Sequence, residues 1–283
     1  MDTSATWLCR TCHANIATAY CATCGEGQLR ATDLTLRHLG AQIYRSLSDL
    51  DGKFLRTLRS LILRPGYLTS AYLIGPRKPF LGAFQLFLIV NVVFFAVQSW
   101  APIKIFSTPL ASHLEGQDWS EFARGFVERR LATHGMTANA YAPLFNQAAA
   151  VNAKGLVILM ALPLALLSIA MFSRKGRPFV THLVFALHFY AFELLVLCTL
   201  LIIAMLDTWL GGPDANSAAM DVALFGTQLL AASIYLYVAV AEVYGTRGIA
   251  RLLQVSALVI AVGAAILAYR FAIFVITVMT TLH

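Results

Sequence analysis

Apolar residues in this chain do not recur at the spacing of a single helix face or strand face; they run on in blocks. Five blocks are long enough to cross a bilayer, at residues 81–100, 155–172, 180–206, 222–244 and 252–282. A hydrocarbon core about 30 Å thick calls for about 20 apolar residues of helix. In lipid, each block must satisfy its backbone groups internally, as a helix or as a strand of a closed barrel. The period-two alternation of barrel strands is absent, which leaves helices. The last block is longer than a bilayer needs and is expected to tilt or protrude. The pattern predicts an all-α integral membrane helix bundle of about five transmembrane helices over residues 81–283, with a long external loop at 101–154.

Residues 29–80 keep a helical period but carry too many charges to span. Leu50, Phe54, Leu55, Leu58, Leu61 and Ile62 fall on one face, and Lys53, Arg56, Arg59 and Arg64 fall on or near the other. A cationic amphipathic helix beside a membrane is suited to an anionic leaflet, and Arg77 and Lys78 extend the basic surface. A helix packed against the end of the bundle would show the same pattern, so both placements stay open. Pro65-Gly66 ends this helix, and Gly75-Pro76 and Pro79 break the chain again before the first span. A second amphipathic piece, 119–131, is suited to lie on the opposite leaflet or to cover the bundle.

Composition fits lipid as the main solvent: of 283 residues, 59% are hydrophobic and only 12% charged, against about 25% charged in a soluble domain. Net charge is +7, and in a membrane protein such an excess marks the cytoplasmic side. Placing the basic residues 1–80 inside also puts Arg174, Lys175, Arg177, Arg247 and Arg251 inside, while loop 207–221, with aspartates and no Lys or Arg, falls outside. The expected topology is N-terminus cytoplasmic and C-terminus extracytoplasmic. Residues 1–30 hold no apolar run of a cleavable signal, so the first span is expected to act as the insertion signal.

The most specific local chemistry is Cys9-Arg10-Thr11-Cys12 followed, eight residues on, by Cys21-Ala22-Thr23-Cys24-Gly25. Each C-x-x-C presents two thiolates to one ion, and two such knuckles close a tetrahedral S4 shell around a structural Zn2+. Gly25 suits the positive-φ turn after a knuckle. A ribbon this small, residues 1–28, draws its folding energy from the metal. Disulfides are disfavoured by a reducing cytoplasm, and a redox dithiol lacks its βαβ context. His13 is a possible substitute ligand. A closed S4 shell leaves no open position for catalysis. With one arginine and no lysine in residues 1–28, no nucleic-acid partner is expected. Cys198, alone in the third span, reads as a packing residue.

The run Asp51-Gly52-Lys53-Phe54-Leu55-Arg56-Thr57-Leu58, then Leu63-Arg64-Pro65-Gly66, then Tyr72-Leu73-Ile74-Gly75-Pro76-Arg77-Lys78-Pro79-Phe80, resembles the bacterial domain-of-unknown-function 3667 membrane proteins. The paired C-x-x-C units and the stretch His182-Leu183-Val184-Phe185-Ala186-Leu187-His188-Phe189-Tyr190-Ala191-Phe192 are similar to that family as well. Where its members often have Gly-Lys-Arg, this chain has Gly75-Pro76-Arg77. The resemblance implies an N-terminal zinc ribbon, a multi-span membrane domain and the bacterial cytoplasmic (inner) membrane. It implies no activity.

Ionisable groups inside a span are costly and point first to function. Glu193, Glu242 and Arg270 are such groups, and Arg270 is placed to reach outward toward lipid phosphates. His182 and Glu193 lie about 20° from alignment on one helix, and Gln228, Tyr235 and Glu242 recur every seven residues on the next. These spacings predict a polar seam between the third and fourth spans. It would be either a path for an ion, proton or lipid headgroup, or a set of interhelical hydrogen bonds. No phosphate-cradling loop, H-E-x-x-H or G-x-S-x-G is present, so the chain reads as non-enzymatic rather than enzymatic. Two roles follow. One is a scaffold or regulatory protein whose ribbon and basic helix engage a cytoplasmic protein partner or the inner leaflet; the other is a small transporter or lipid-handling protein using the seam.

Overall fold

A computed structural model describes residues 7–9, 12–18, 20–23, 52–74, 79–101, 105–210 and 218–282. The chain forms two compact units, Met1–Lys53 and Phe54–His283. In the first, strands β1 (Trp7–Leu8) and β2 (Asn15–Ile16) pair antiparallel, Trp7 opposite Ile16 and Leu8 opposite Asn15. Its small core is Cys9, Ile16 and Cys21.

The second unit is helical, and five of its helices are long and apolar enough to cross a membrane. It begins with α1 (52–63) and α2 (Tyr67–Ile74), joined by a turn at 64–66. The two form a hairpin. The Leu81 amide donates to the Thr57 hydroxyl at 3.0 Å, the Arg56 guanidinium reaches the Pro79 carbonyl at 3.5 Å, and Tyr67 meets Phe80 edge to face. Gly66 makes the turn with φ +86°, and a Cβ there would lie 2.9 Å from the Cα and carbonyl oxygen of Ala239. Only glycine combines that dihedral with such an approach to another helix.

The spans follow. Helix α3 (Ala83–Trp100) turns Leu86, Phe87, Val90, Phe94 and Phe95 inward, together with Asn91 and Gln98. Helices α4 (Leu110–Glu115) and α5 (Ser120–His134) form a cap; α5 buries Ala123, Val127 and Leu131, spaced by four. Thr137 caps α6 (Ala138–Leu156), which runs through a 3-10 turn at Val157–Met160 into α7 (Ala161–Phe172). The second span is therefore one helical run from Ala138 to Lys175, and it takes in the end of what the sequence reads as external loop 101–154. Alanines make α6 a good helix, and Tyr141, Phe145, Ala149 and Ala153 give it a buried stripe against the last helix, but its Asn, Gln and Lys lower the hydropathy.

Helix α8 (Phe179–Trp209) is the axis of the bundle, packed by α3, α7, α9 (Ala218–Tyr244) and α2. The last helix, α10 (Gly248–Thr281), closes the bundle against α6, α7 and α9. At one end the Arg177 guanidinium donates to the Val243 carbonyl at 3.3 Å, bringing together the basic α7–α8 and α9–α10 turns. At the other, Arg130 of α5 donates to the Leu282 carbonyl at 2.7 Å and Arg270 to the Ile105 carbonyl at 3.2 Å, fastening the cap to α10.

Gly66→Ala is expected to lower the thermal midpoint of the detergent-purified protein. The left-handed backbone alone costs roughly 1–2 kcal/mol for a residue with a Cβ, and the contact with Ala239 adds to it. Gly125→Ala, in α5 with nothing within 4 Å of its Cβ, should leave the midpoint unchanged or raise it.

Candidate functional site

A cavity of about 590 Å³ lies among α3, α8, α9 and α10. Its walls are mainly apolar, with Phe87, Leu194, Leu197 and Val262 among them, and the cap closes one end with Thr108, Pro109, Ser112 and Gln117. Tyr190 and Glu193, three residues apart on α8, share one helical face and line the cavity, as does Gln228 across on α9. The Gln228 side-chain amide donates to the Glu193 carboxylate, and also to the Glu193 backbone carbonyl at 3.4 Å. Arg270 lines the cap end. Glu193 and Tyr190 are each 6% exposed. Glu193 Oε1, Gln228 Oε1 and the Tyr190 hydroxyl have no hydrogen-bond partner among the described residues. Phe225 and Leu267, at 65% and 47% exposure, stand where the cavity meets the outer face of the bundle between α9 and α10.

The five polar residues that sequence spacing aligns into one seam, and Arg270 on the fifth span, fall into two groups. Glu193, Gln228 and Arg270 share the cavity. His182, Tyr235 and Glu242 belong to the basic half of the bundle. The His182 Nδ1 meets the Tyr244 hydroxyl at 2.9 Å, Tyr235 stacks on Phe192 and bonds the Gly66 backbone, and Glu242 is exposed. Helix α2 causes this separation. It wedges against α8 and α9, with the Thr69 hydroxyl 2.9 Å from His188 Nδ1 and the Ser70 hydroxyl 3.5 Å from the Glu242 carbonyl. Glu193 pairs with Gln228, one heptad before Tyr235 on α9.

Lys53, Arg56, Arg59 and Arg64 are exposed, while Arg77 and Lys78 lie outside the described residues. The apolar face of α1 is wider than the bundle covers. Thr57 and Leu61 are buried, with Phe54 packed beside them, whereas Leu55, Ile62 and Leu63 stand exposed next to Arg59. One side of α1 thus packs on the bundle and the other is open.

His113, which the sequence pattern does not single out, is the buried centre of the cap. Its ring stacks near Phe274 (4.8 Å between centroids), its Nδ1 accepts from the Trp119 indole at 3.3 Å, and it bonds the Thr108 carbonyl. Burial, then the nearby Arg270 charge, pulls its pKa down from 6.5 to about 4. Between those values the unfolded cap binds a proton that the folded cap excludes, so cap stability is full above pH 6.5 and falls as the pH drops toward 4. Amide exchange over residues 110–134 should quicken across that window. In His113→Asn, which cannot titrate, the pH dependence should flatten.

In the first unit, the sulfurs of Cys9, Cys12 and Cys21 lie within 4.8 Å of one another, Cys12 and Cys21 at 3.4 Å. A tetrahedral shell with zinc–sulfur bonds of about 2.3 Å sets its sulfurs about 3.8 Å apart, so these three fit three corners of one. The Cys9 amide donates to the Ala14 carbonyl and the His13 amide to the Cys9 carbonyl, both at 2.9 Å. His13 takes φ +57° and is exposed, so its backbone makes the turn after the knuckle. It occupies the place that Gly25 holds after the second C-x-x-C. Cys24 and Gly25 lie outside the described residues. Cys198 is buried among the apolar residues of α8.

Residues 51–95 match the model of a family described as "Protein of unknown function (DUF3667)". The match spans α1, α2 and the first part of α3, and includes the Asp51–Leu58 and Leu63–Gly66 runs that carry the resemblance in the sequence. No curated protein and no solved structure matches the chain.

Proposed function

We propose that this five-span membrane protein, similar over residues 51–95 to a family of unknown function, binds an amphiphilic molecule in the cavity between α8, α9 and α10, and handles lipid-like molecules rather than catalysing a reaction. The cavity itself carries the reading: about 590 Å³, apolar walls, a carboxylate–amide pair on one side, a guanidinium at the cap end, and an edge at the lipid-facing side. Small-molecule pockets run from roughly 300 to 1,000 Å³ and are mainly apolar with a few placed polar groups. A ligand with a hydrocarbon chain can enter sideways past Phe225 and Leu267 without crossing water. The basic turns around Arg174, Arg177 and Arg247 support a cytoplasmic position for that end. The cavity then belongs to the outer half of a bacterial inner membrane.

Gly263 lines the cavity, and a Cβ there meets nothing within 4 Å. Gly263→Leu should fill the space without moving the backbone. Native mass spectrometry of the detergent-purified chain should show several-fold less co-purified amphiphile for this variant. Gly226→Leu, which also meets open space but lies off the cavity, should match wild type. Equal amphiphile in both variants would remove the cavity from consideration.

The N-terminal unit is proposed to hold one structural Zn2+ through Cys9, Cys12, Cys21 and Cys24, supported by the three clustered thiols. The exposed Leu55, Arg56, Arg59, Ile62 and Leu63 favour a second role for the segment beside it, as a face for the anionic leaflet, with Lys53, Arg64, Arg77 and Lys78, or for a cytoplasmic protein partner. Cys9→Ser/Cys12→Ser should take zinc, measured by elemental analysis, from about one ion per chain to near zero. Because the cysteines and the bundle sit in different compact units, the main thermal transition should persist.

A further inference from the structure

The donor side of the Gln228 amide is used twice on Glu193, once on the carboxylate and once on the backbone carbonyl. Its Oε1 has no partner among the described residues. Glu193 Oε1 and the Tyr190 hydroxyl are likewise without partners, in side chains more than nine-tenths buried that line the same cavity. Buried oxygens in such a position call for donors. Three oxygens, one of them on a carboxylate, suit a group that is positive and carries several N–H donors.

We propose that this wall of the cavity binds a primary ammonium group, and that the amphiphile is zwitterionic, with its anionic group toward Arg270. The inference rests on the reading of the cavity as an amphiphile site. An ammonium offers three donors and no acceptor, one for each of Glu193 Oε1, Gln228 Oε1 and the Tyr190 hydroxyl. A quaternary ammonium has the charge but no donor, and would leave all three oxygens unpaired. A hydroxyl has one donor and no charge for the carboxylate. An anion would meet Glu193 as a like charge.

Arg270 supplies the opposite pole. Glu193 and Arg270 are the Asp, Glu, Lys or Arg side chains among the described residues lining the cavity. From the α9–α10 turn, Gln228 lies 16 residues up α9 and Arg270 22 residues up α10, a difference in height of about 9 Å at about 1.5 Å per residue. The long arginine side chain lies within the span of a phospho-amino headgroup. The chains of such a lipid would leave between α9 and α10, where Phe225 and Leu267 are exposed.

The test loads the full-length protein, in detergent, with phosphatidylethanolamine, phosphatidylcholine or phosphatidylglycerol carrying identical acyl chains, and counts retained lipid by native mass spectrometry. Phosphatidylethanolamine should be retained at least tenfold over the trimethylated and amine-free lipids. Glu193→Gln should reduce it to their level, and Tyr190→Phe should reduce it partly, both with the wild-type thermal midpoint. If Glu193→Gln does not fold, Tyr190→Phe alone decides. Equal retention of all three lipids, abolished by Gly263→Leu, would overturn the ammonium assignment and leave the cavity reading standing. Preference for phosphatidylglycerol would overturn the assignment outright. Retention of none, with Gly263→Leu indistinguishable from wild type, would remove both.

Discussion

Water does not reach the middle of a helix bundle in lipid, so a polar side chain there pairs with protein or is left without a partner. That constraint organises the second unit of this protein. Helix α8, packed by α2, α3, α7 and α9, carries the buried polar groups His182, His188, Tyr190 and Glu193. His182 and His188 are matched by Tyr244 and Thr69 from neighbouring helices. At Glu193 the matching is incomplete, because one carboxylate oxygen is held by Gln228 and the other is not. The place where the bundle's own pairing stops is also the place where a cavity opens.

The hairpin α1–α2 occupies the basic half of the bundle, against α8 and α9. Its turn brings Gly66 into backbone contact with α9, and Thr69 and Ser70 supply hydrogen bonds to α8 and α9. This short, interrupted helix fills the space that a seam between α8 and α9 would otherwise leave. The matched family segment, residues 51–95, covers this hairpin and the α3 turns that follow it. The polar pair of the cavity comes from α8 and α9, outside the matched segment.

The cap closes the other end by different means. The rings of Trp119, Phe145 of α6 and Phe274 of α10 gather around His113, and Arg130 and Arg270 tie the surrounding chain to backbone carbonyls. One of them, Arg270, thereby stands at the cap end of the cavity. Such a cap holds a neutral imidazole well and a charged one poorly, which couples its stability to pH.

Much of the architecture was legible in the chain alone. Uninterrupted apolar blocks mean spanning helices, since backbone groups in lipid have no other partner, and C-x-x-C pairs mean clustered thiols, since each knuckle places two sulfurs on one side of a turn. Helix α6 was legible only in part, because its Asn, Gln and Lys hide a buried alanine and aromatic stripe from a hydropathy window. The seven-residue spacing of Gln228, Tyr235 and Glu242 identified a shared face but not its partners. Spacing fixes an angle about one helix and says nothing of the depth at which another helix, or a short hairpin such as α1–α2, meets it. That depth assigned Gln228 to Glu193, Tyr235 to Gly66 and Arg270 to the cap. Only tertiary packing could decide it, because it depends on side chains from helices far apart in sequence filling, or failing to fill, the same volume.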